Sequence, residues 1–222
     1  MLTMATSLTR NTWWAVGVMA SLAIGALAAG LVFRGEYATT QTVRRSFTID
    51  EDFTAVRKIL VRKDAAQQLV VMGGGSEFID QQWSAGGAEI DAEKVIEADW
   101  RIELHGTLRV RTKDEYIGEQ ELALSQEVEI VRDYLHSEVR LDEPAARLLQ
   151  YDMKTEFKRE GEKSRVDLEL TQEILTAAPW FAHGIADRRV RASVDQTLAN
   201  QEAAIRKLIA ENIDDVPLLP LR

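Results

Sequence analysis

The chain has 222 residues, of which 45% are hydrophobic and 28% are charged, as expected for one folded domain with an appendage. Its formal net charge of −9 at pH 7 argues against a nucleic-acid partner, because binding to phosphates needs a basic face. The absence of cysteine excludes disulfides, thiolate zinc sites and cysteine nucleophiles. His105, His136 and His183 are too far apart in sequence for a metal motif, so we expect no metal and no cofactor.

An apolar segment near the N-terminus predicts a membrane anchor. The 22 residues from Thr12 to Phe33 carry no charge, and a helix of that length spans about 33 Å, enough to cross the hydrocarbon core. The pair Trp13-Trp14 lies at one end and Arg34 follows the other, as is typical of membrane interfaces. A cleaved signal peptide is the alternative, because Ala26-Leu27-Ala28 resembles a cleavage site, but the apolar run continues beyond it.

The flanking charges give conflicting indications of orientation. Arg34, Arg44 and Arg45 follow the span and Arg10 precedes it, so the count of positive charges favours a cytoplasmic domain. Arg44 and Arg45 belong to the first predicted strand, however, which weakens their contribution. We expect a single-pass membrane protein with its domain on the extracytoplasmic side, with the bilayer as one partner and another membrane protein as a second.

The soluble domain begins with a strand and short helices. Alternation over residues 43–49 predicts the strand, and Asp50 or Asp52 can cap a helix beginning near Phe53. A second helix follows Asp64 and stops at the triple glycine of residues 73–75, which we interpret as a loop. Phe78, Ile79 and Trp83 predict a third short helix after Ser76.

The expected divisions are an N-terminal tail (1–11), the transmembrane helix (12–33), a tether (34–42), the soluble domain (43–212) and a flexible tail (213–222).

An antiparallel meander of five or six strands is predicted from about Trp100 to Leu170, where apolar and polar residues alternate. Gly106 permits either a bulge within one long strand or a tight turn between two short ones. Arg132-Asp133 and Glu160-Gly161-Glu162 predict hairpin turns, and residues 145–149 predict one helical turn.

A long amphipathic helix closes the domain. Val190, Val194, Leu198 and Ile205 form an apolar stripe, and the opposite face is rich in charge. Pro179 suits a position near the start of the helix, and the stretch after Gly184 to about Asn212 is long enough, at about 40 Å, to lie across a sheet.

This order of elements resembles the helix-grip fold of the START and Bet v 1-like superfamily, also called SRPBCC. The resemblance covers residues 43–212, and its best support runs from Tyr151 to Ile209: two paired strands, Ala178-Pro179-Trp180-Phe181, and the long helix. The acidic stretch from Glu89 to Asp99 departs from the pattern. The resemblance implies an α+β fold in which a curved antiparallel sheet wraps a C-terminal helix around a hydrophobic cavity.

Six inward-facing residues are the candidate ligand-binding set that this resemblance implies. The alternative is that they simply pack a core. We expect the pair Trp180-Phe181 at the cavity entrance, because it precedes the long helix. The candidate residues are Trp100, Tyr151, Met153, Phe157, Trp180 and Phe181.

No catalytic residue is predicted. Glu119, Glu121, Glu127 and Glu129 occupy the polar positions of a strand, which is typical of a solvated face. His105 and His136 fall on polar positions too, and His183, at the helix entrance, is a candidate for packing or for ligand contact.

Three functions remain open. The first is a membrane-tethered module that binds a lipid-like or other hydrophobic small molecule without catalysis. The second is a structural or assembly protein of a membrane complex, with a filled core. The third is an enzyme of the cyclase or hydrolase kind that this superfamily sometimes houses, which no acid–base pair supports.

Overall fold

A computed structural model describes residues 35–62, 64–84, 101–114 and 117–215. The tail 1–11, the anchor 12–33, Trp100 and the acidic stretch 89–99 lie outside these residues. Within the described ranges, no helix has the length and apolar character needed to cross a bilayer.

The strands are β1 (Glu36–Ile49), β2 (Ser76–Ser84), β3 (Ile102–Asp114), β4 (Gly118–Val131), β5 (Tyr134–Leu141), β6 (Leu148–Glu160) and β7 (Lys163–Ala177). The helices are α1 (Phe53–Leu60), α2 (Ala65–Gly73) and α3 (His183–Asn212).

The seven strands form one antiparallel sheet in the order β1-β7-β6-β5-β4-β3-β2. Each strand from β2 to β6 pairs with the next strand in sequence, and β1 pairs with β7 along its whole length. The inner face packs on α3, while the outer face carries ion pairs such as Arg44 with Glu169. A seven-stranded antiparallel sheet with a long C-terminal helix on one face is consistent with the helix-grip arrangement, so the α+β class predicted for the domain is confirmed.

The long helix confirms the predicted stripe. Val194, Leu198 and Ile205 are completely buried, and Val190 is 1% exposed. The helix ends at Asn212, as expected, although its α-helical part begins at His183 after a 3₁₀ turn over Trp180–Ala182. On its other side, Arg45 of β1 pairs with Asp195 and Glu202, which fastens the helix to the edge of the sheet.

Strand β1 is longer than predicted. It begins at Glu36 rather than at Val43, so residues 36–42 of the expected tether are paired with β7. Threonine favours extended backbone because it is β-branched, and Thr39 turns inward, where it is 2% exposed. Residues 36–42 form a strand although their polar composition lacks the apolar alternation that predicts one.

The third short helix predicted after Ser76 is wrong, since these residues form β2. The register with β3 shifts between Phe78 and Asp80, which is a β-bulge. A bulge breaks the two-residue alternation, so Phe78, Ile79 and Trp83 acquire a spacing that imitates a helix. The preceding glycine loop has positive φ angles at Gly74 and Gly75, as a loop between α2 and β2 requires.

The structure also decides the remaining local predictions. Strand β3 continues through Gly106 without a turn, and its register with β4 is unbroken there. The helical turn predicted over residues 145–149 is wrong: Ala145 forms a bridge with Leu148, and Ala146 has a positive φ of 42°. Both predicted hairpin turns are confirmed, and Asp52 caps α1 by accepting from the Thr54 amide at 2.7 Å.

Candidate functional site: a cavity between sheet and helix

A cavity of about 940 Å³ lies between the inner face of the sheet, α2 and α3. Its size is within the range of pockets that enclose a small organic molecule. Strands β2 to β7 all contribute to its lining, and both helices complete it. The interior is therefore not completely filled, which favours a binding module over an assembly protein with a filled core.

The sheet side of the cavity is mainly apolar because the strands alternate. Leu108 and Leu124 are cross-strand neighbours on β3 and β4, and Met153 and Phe157 lie on one face of β6. All four are less than 9% exposed. This surface favours the apolar body of a ligand over water.

The part of the lining that α3 supplies is mainly polar and uncharged. Five residues on adjacent turns of α3 face it, on a flank next to the buried stripe. Gln196 donates to Asn200 at 2.8 Å, and the Thr197 hydroxyl donates to the Ser193 carbonyl at 3.0 Å. These five residues are Ser193, Gln196, Thr197, Asn200 and Gln201.

Two polar cross-strand pairs interrupt the apolar sheet surface. Tyr151 of β6 lies beside Gln172 of β7, and Ser137 of β5 lies beside Thr155 of β6. All four line the cavity, and none of their side chains has a hydrogen-bond partner in the part of the chain that the structure describes. Their side chains line the cavity without a protein partner, so they are available to hydrogen-bond a ligand or water there.

Tyr151 is the one residue of these four whose side chain has a shifted pKa. Burial raises the pKa of its phenol to about 12, because the charged phenolate is poorly solvated deep in the molecule. At neutral pH the hydroxyl is therefore protonated and can donate a hydrogen bond into the cavity.

Charged groups are scarce around the cavity. The described lining residues include no carboxylate, no imidazole and no lysine, and their one charged side chain is Arg62. The Arg62 guanidinium donates to the Asn212 side chain at 2.7 Å. Among the described residues no group of histidine and carboxylate side chains could hold a metal ion. The site offers hydrogen bonds and apolar contact rather than a general acid–base pair.

The structure places the sequence-predicted site residues in two groups. Tyr151, Met153 and Phe157 line the cavity, as expected from their alternation on β6. Trp180 and Phe181 do not: they are 75% and 57% exposed, so their expected position between sheet and helix is wrong. They lie on the 3₁₀ turn that precedes α3, and this turn directs both side chains outward. Trp100 lies outside the described residues.

The three histidines have separate surroundings. His105 is exposed on β3, as expected, with Nδ1 at 3.5 Å from a Glu127 oxygen. His136 faces Glu156 across the outer face of the sheet. His183 stacks on the ring of Tyr37 at 3.7 Å, which is a packing role.

Sequence reasoning missed most of the polar lining. Alternation could have indicated Ser137 and Gln172, because each shares the inward parity of its strand with buried apolar residues. The polar flank of α3 gave no such signal, since neutral polar residues beside an apolar stripe are ordinary on an amphipathic helix.

Comparison with known proteins supports the fold. No protein-family model matches the chain, and no curated protein matches it significantly in sequence. Among solved structures, the di-domain ARO/CYC protein StfQ from the steffimycin biosynthetic pathway superposes with a TM-score of 0.50 at 9% identity, covering 79% of this chain and 52% of that one. This likeness concerns the fold alone.

Two other solved structures are similar at lower scores. A START superfamily protein from Mycobacterium smegmatis has a TM-score of 0.47 at 11% identity, covering 77% of this chain and 97% of that one. Norcoclaurine synthase from Thalictrum flavum, in complex with dopamine and hydroxybenzaldehyde, has a TM-score of 0.45 at 13% identity, covering 78% of this chain and 88% of that one.

Proposed function

We propose that this chain is a membrane-anchored module that binds a hydrophobic small molecule in the cavity between its sheet and α3. The observation that carries the proposal is the cavity of about 940 Å³ with its apolar sheet surface. A protein interior is normally close-packed, so an unfilled space of this size indicates a place for a ligand.

The scarcity of charge in the lining favours one class of ligand. A carboxylate or ammonium in this space would lose its hydration, and apart from Arg62 no described lining residue carries a charge to compensate it. Hydroxyl and amide groups, by contrast, would find partners in Tyr151 and Gln172. The expected ligand is a neutral amphiphile, such as a sterol-like molecule with a hydroxyl or carbonyl group.

Uptake of a fluorescent sterol by the purified full chain tests this proposal. Ser137→Phe should weaken uptake by placing a bulky ring in the lining of the cavity, whereas Ser137→Ala preserves the space and should lose at most the contribution of one hydrogen bond. A fluorescent fatty acid, which is anionic at neutral pH, should bind at least tenfold more weakly than the sterol. Tighter binding of the fatty acid would refute the neutral class, and equal binding by both Ser137 variants would refute the cavity as the site.

The anchor over residues 12–33 is the second part of the proposal. It is supported by the charge-free length of the segment and by its flanking Trp13, Trp14 and Arg34. A ligand-binding domain held beside the bilayer stays close to a pool of apolar molecules. N-terminal sequencing of the membrane-extracted protein tests it, since a mature start at Ala29 would mean that the segment is removed. Protease accessibility in sealed membranes tests the proposed extracytoplasmic side.

A further inference from the structure

Three large apolar side chains are exposed where the chain enters α3. Trp180, Phe181 and Ile185 are 75%, 57% and 49% exposed, and we call them the entry patch. The rings of Trp180 and Phe181 meet edge to face, with centroids 5.8 Å apart. Side chains of this size are seldom grouped on a surface that faces only water, so the patch indicates an interaction surface.

The entry patch lies beside the point where the apolar N-terminal segment joins the domain. The carbonyl of Gly35 accepts a hydrogen bond from the Ala178 amide at 3.0 Å, and Glu36 pairs with Ala177. Tyr37 then stacks on His183, which lies between Phe181 and Ile185 in sequence. These contacts fix the start of β1 against the patch.

The length of chain between the domain and the apolar run is very short. Phe33, the last residue of that run, precedes Gly35 by two residues, so the two lie at most about 7 Å apart. A bilayer that holds residues 12–33 is therefore within reach of the entry patch.

The charges around the entry patch fit a lipid surface. Arg188 and Arg189 lie one helical turn from Ile185, and both are exposed. Neither forms an ion pair with any residue that the structure describes, although the chain as a whole carries a net charge of −9. Aromatic rings flanked by arginine suit the headgroup layer, where rings lie at the boundary and guanidinium groups meet phosphates.

We propose that the entry patch inserts into the headgroup layer of the bilayer in which residues 12–33 are anchored, with Arg188 and Arg189 against anionic lipid. The inference rests on the anchor proposed above. Insertion of the entry patch holds the N-terminal end of α3 against the membrane. The domain then keeps one orientation relative to the bilayer instead of moving freely about its anchor.

The absence of cysteine allows a direct test with single labels on the full chain. Phe181→Cys and Ile185→Cys, each carrying an environment-sensitive dye, are compared in nanodiscs of phosphatidylcholine and phosphatidylglycerol. The matched control is Glu162→Cys, exposed in the β6–β7 turn at the opposite end of the sheet from Ala177. We expect patch labels to be quenched by nitroxide-bearing lipids and to be several-fold less sensitive to aqueous iodide than the control.

Each outcome decides the proposal. If the patch labels behave like the label at Glu162→Cys, the proposed insertion is overturned. The anchor remains supported in that case if the chain still co-elutes with nanodiscs. Protection from iodide without quenching by lipid would mean that protein covers the patch, which also overturns the proposed insertion. A chain that does not co-elute would overturn both anchor and patch.

A charge variant separates the arginines from the rings. Arg188→Glu combined with Arg189→Glu should reduce lipid quenching at Phe181→Cys in anionic nanodiscs and leave it unchanged in purely neutral ones. Equal quenching in both compositions would refute the part assigned to the arginines. Unfolding midpoints equal to the wild type, expected for exposed positions, verify that each variant is folded.

Discussion

The ring of Tyr37 lies flat on the imidazole of His183, with centroids 3.7 Å apart and planes within 7° of parallel. Immediately beside this stack, the Tyr37 and Thr39 hydroxyls both donate to one oxygen of Asp187, at 3.0 and 2.6 Å. The hydrogen bond to Asp187 raises the pKa of Tyr37, because an ionised phenol could no longer donate it. The first strand and the last helix are thus joined at their N-terminal ends.

Asp187→Ala should lower the stability of the domain. The substitution leaves the Thr39 hydroxyl, which is 2% exposed, without its acceptor, at a cost of about 1–3 kcal/mol. Urea unfolding followed by circular dichroism measures the change. Asp195→Ala, on the same helix, removes only an exposed ion pair to Arg45 and should cost less than about 1 kcal/mol. Equal losses in the two variants would contradict the assigned role of Asp187.

Leu198→Ala should destabilise the domain by about 2–5 kcal/mol, because Leu198 is completely buried against the sheet. Ile185→Ala is the matched control, an apolar truncation on the same helix at a position 49% exposed. It should change the free energy of unfolding by less than about 0.5 kcal/mol. An unchanged midpoint for Leu198→Ala would mean that α3 does not dock as described.

Gly106→Ala should disturb the β2–β3 edge of the sheet. A Cβ at this position would lie 2.7 Å from a Trp83 ring carbon and 2.8 Å from the Gln82 carbonyl oxygen, too close for either to remain in place. We expect a lower unfolding midpoint and weaker sterol uptake, since Trp83 lines the cavity. Gly184→Ala, where nothing lies within 4 Å of the new atom, should be neutral or stabilising. Retained wild-type stability in Gly106→Ala would contradict this packing.

Tyr151→Phe should alter the pH dependence of stability at the alkaline end. The pKa of about 12 in the folded chain exceeds the ordinary value of 10.0, so folding favours the protonated phenol. This contribution is complete below about pH 10 and is lost as the pH rises towards about 12. Wild-type stability should therefore fall more steeply over that interval than that of Tyr151→Phe. Parallel curves of urea midpoint against pH would contradict the perturbed pKa.

The elements that could be predicted from the sequence are those whose side-chain period is unbroken. Helix α3 keeps its stripe from Val190 to Ile205, and β7 and the part of β6 from Tyr151 onward alternate cleanly on either side of Gly161. Strand β2 could not be recognised because its bulge breaks the alternation next to Phe78. The start of β1 was missed because threonine carries no apolar signal even where, at Thr39, it is buried.

The candidate site was predictable only on the sheet. Alternation shows that Tyr151, Met153 and Phe157 face inward, but it cannot show whether inward-facing side chains meet one another or leave a space. That depends on the curvature of the sheet and on where α2 and α3 come to lie. Trp180 and Phe181 were misplaced because a short turn before a helix has no period from which a direction can be deduced.

The pairing of β1 with β7 has a consequence for biosynthesis. The two strands are separated by more than a hundred residues, so β1 leaves the ribosome long before its partner exists. At about 5–20 residues per second, the wait is on the order of ten seconds. Throughout that time β1 is a nascent strand with unpaired backbone groups, open to pairing with other chains. Closure of the sheet thus depends on a contact of large sequence separation, the kind of contact that forms slowly in folding.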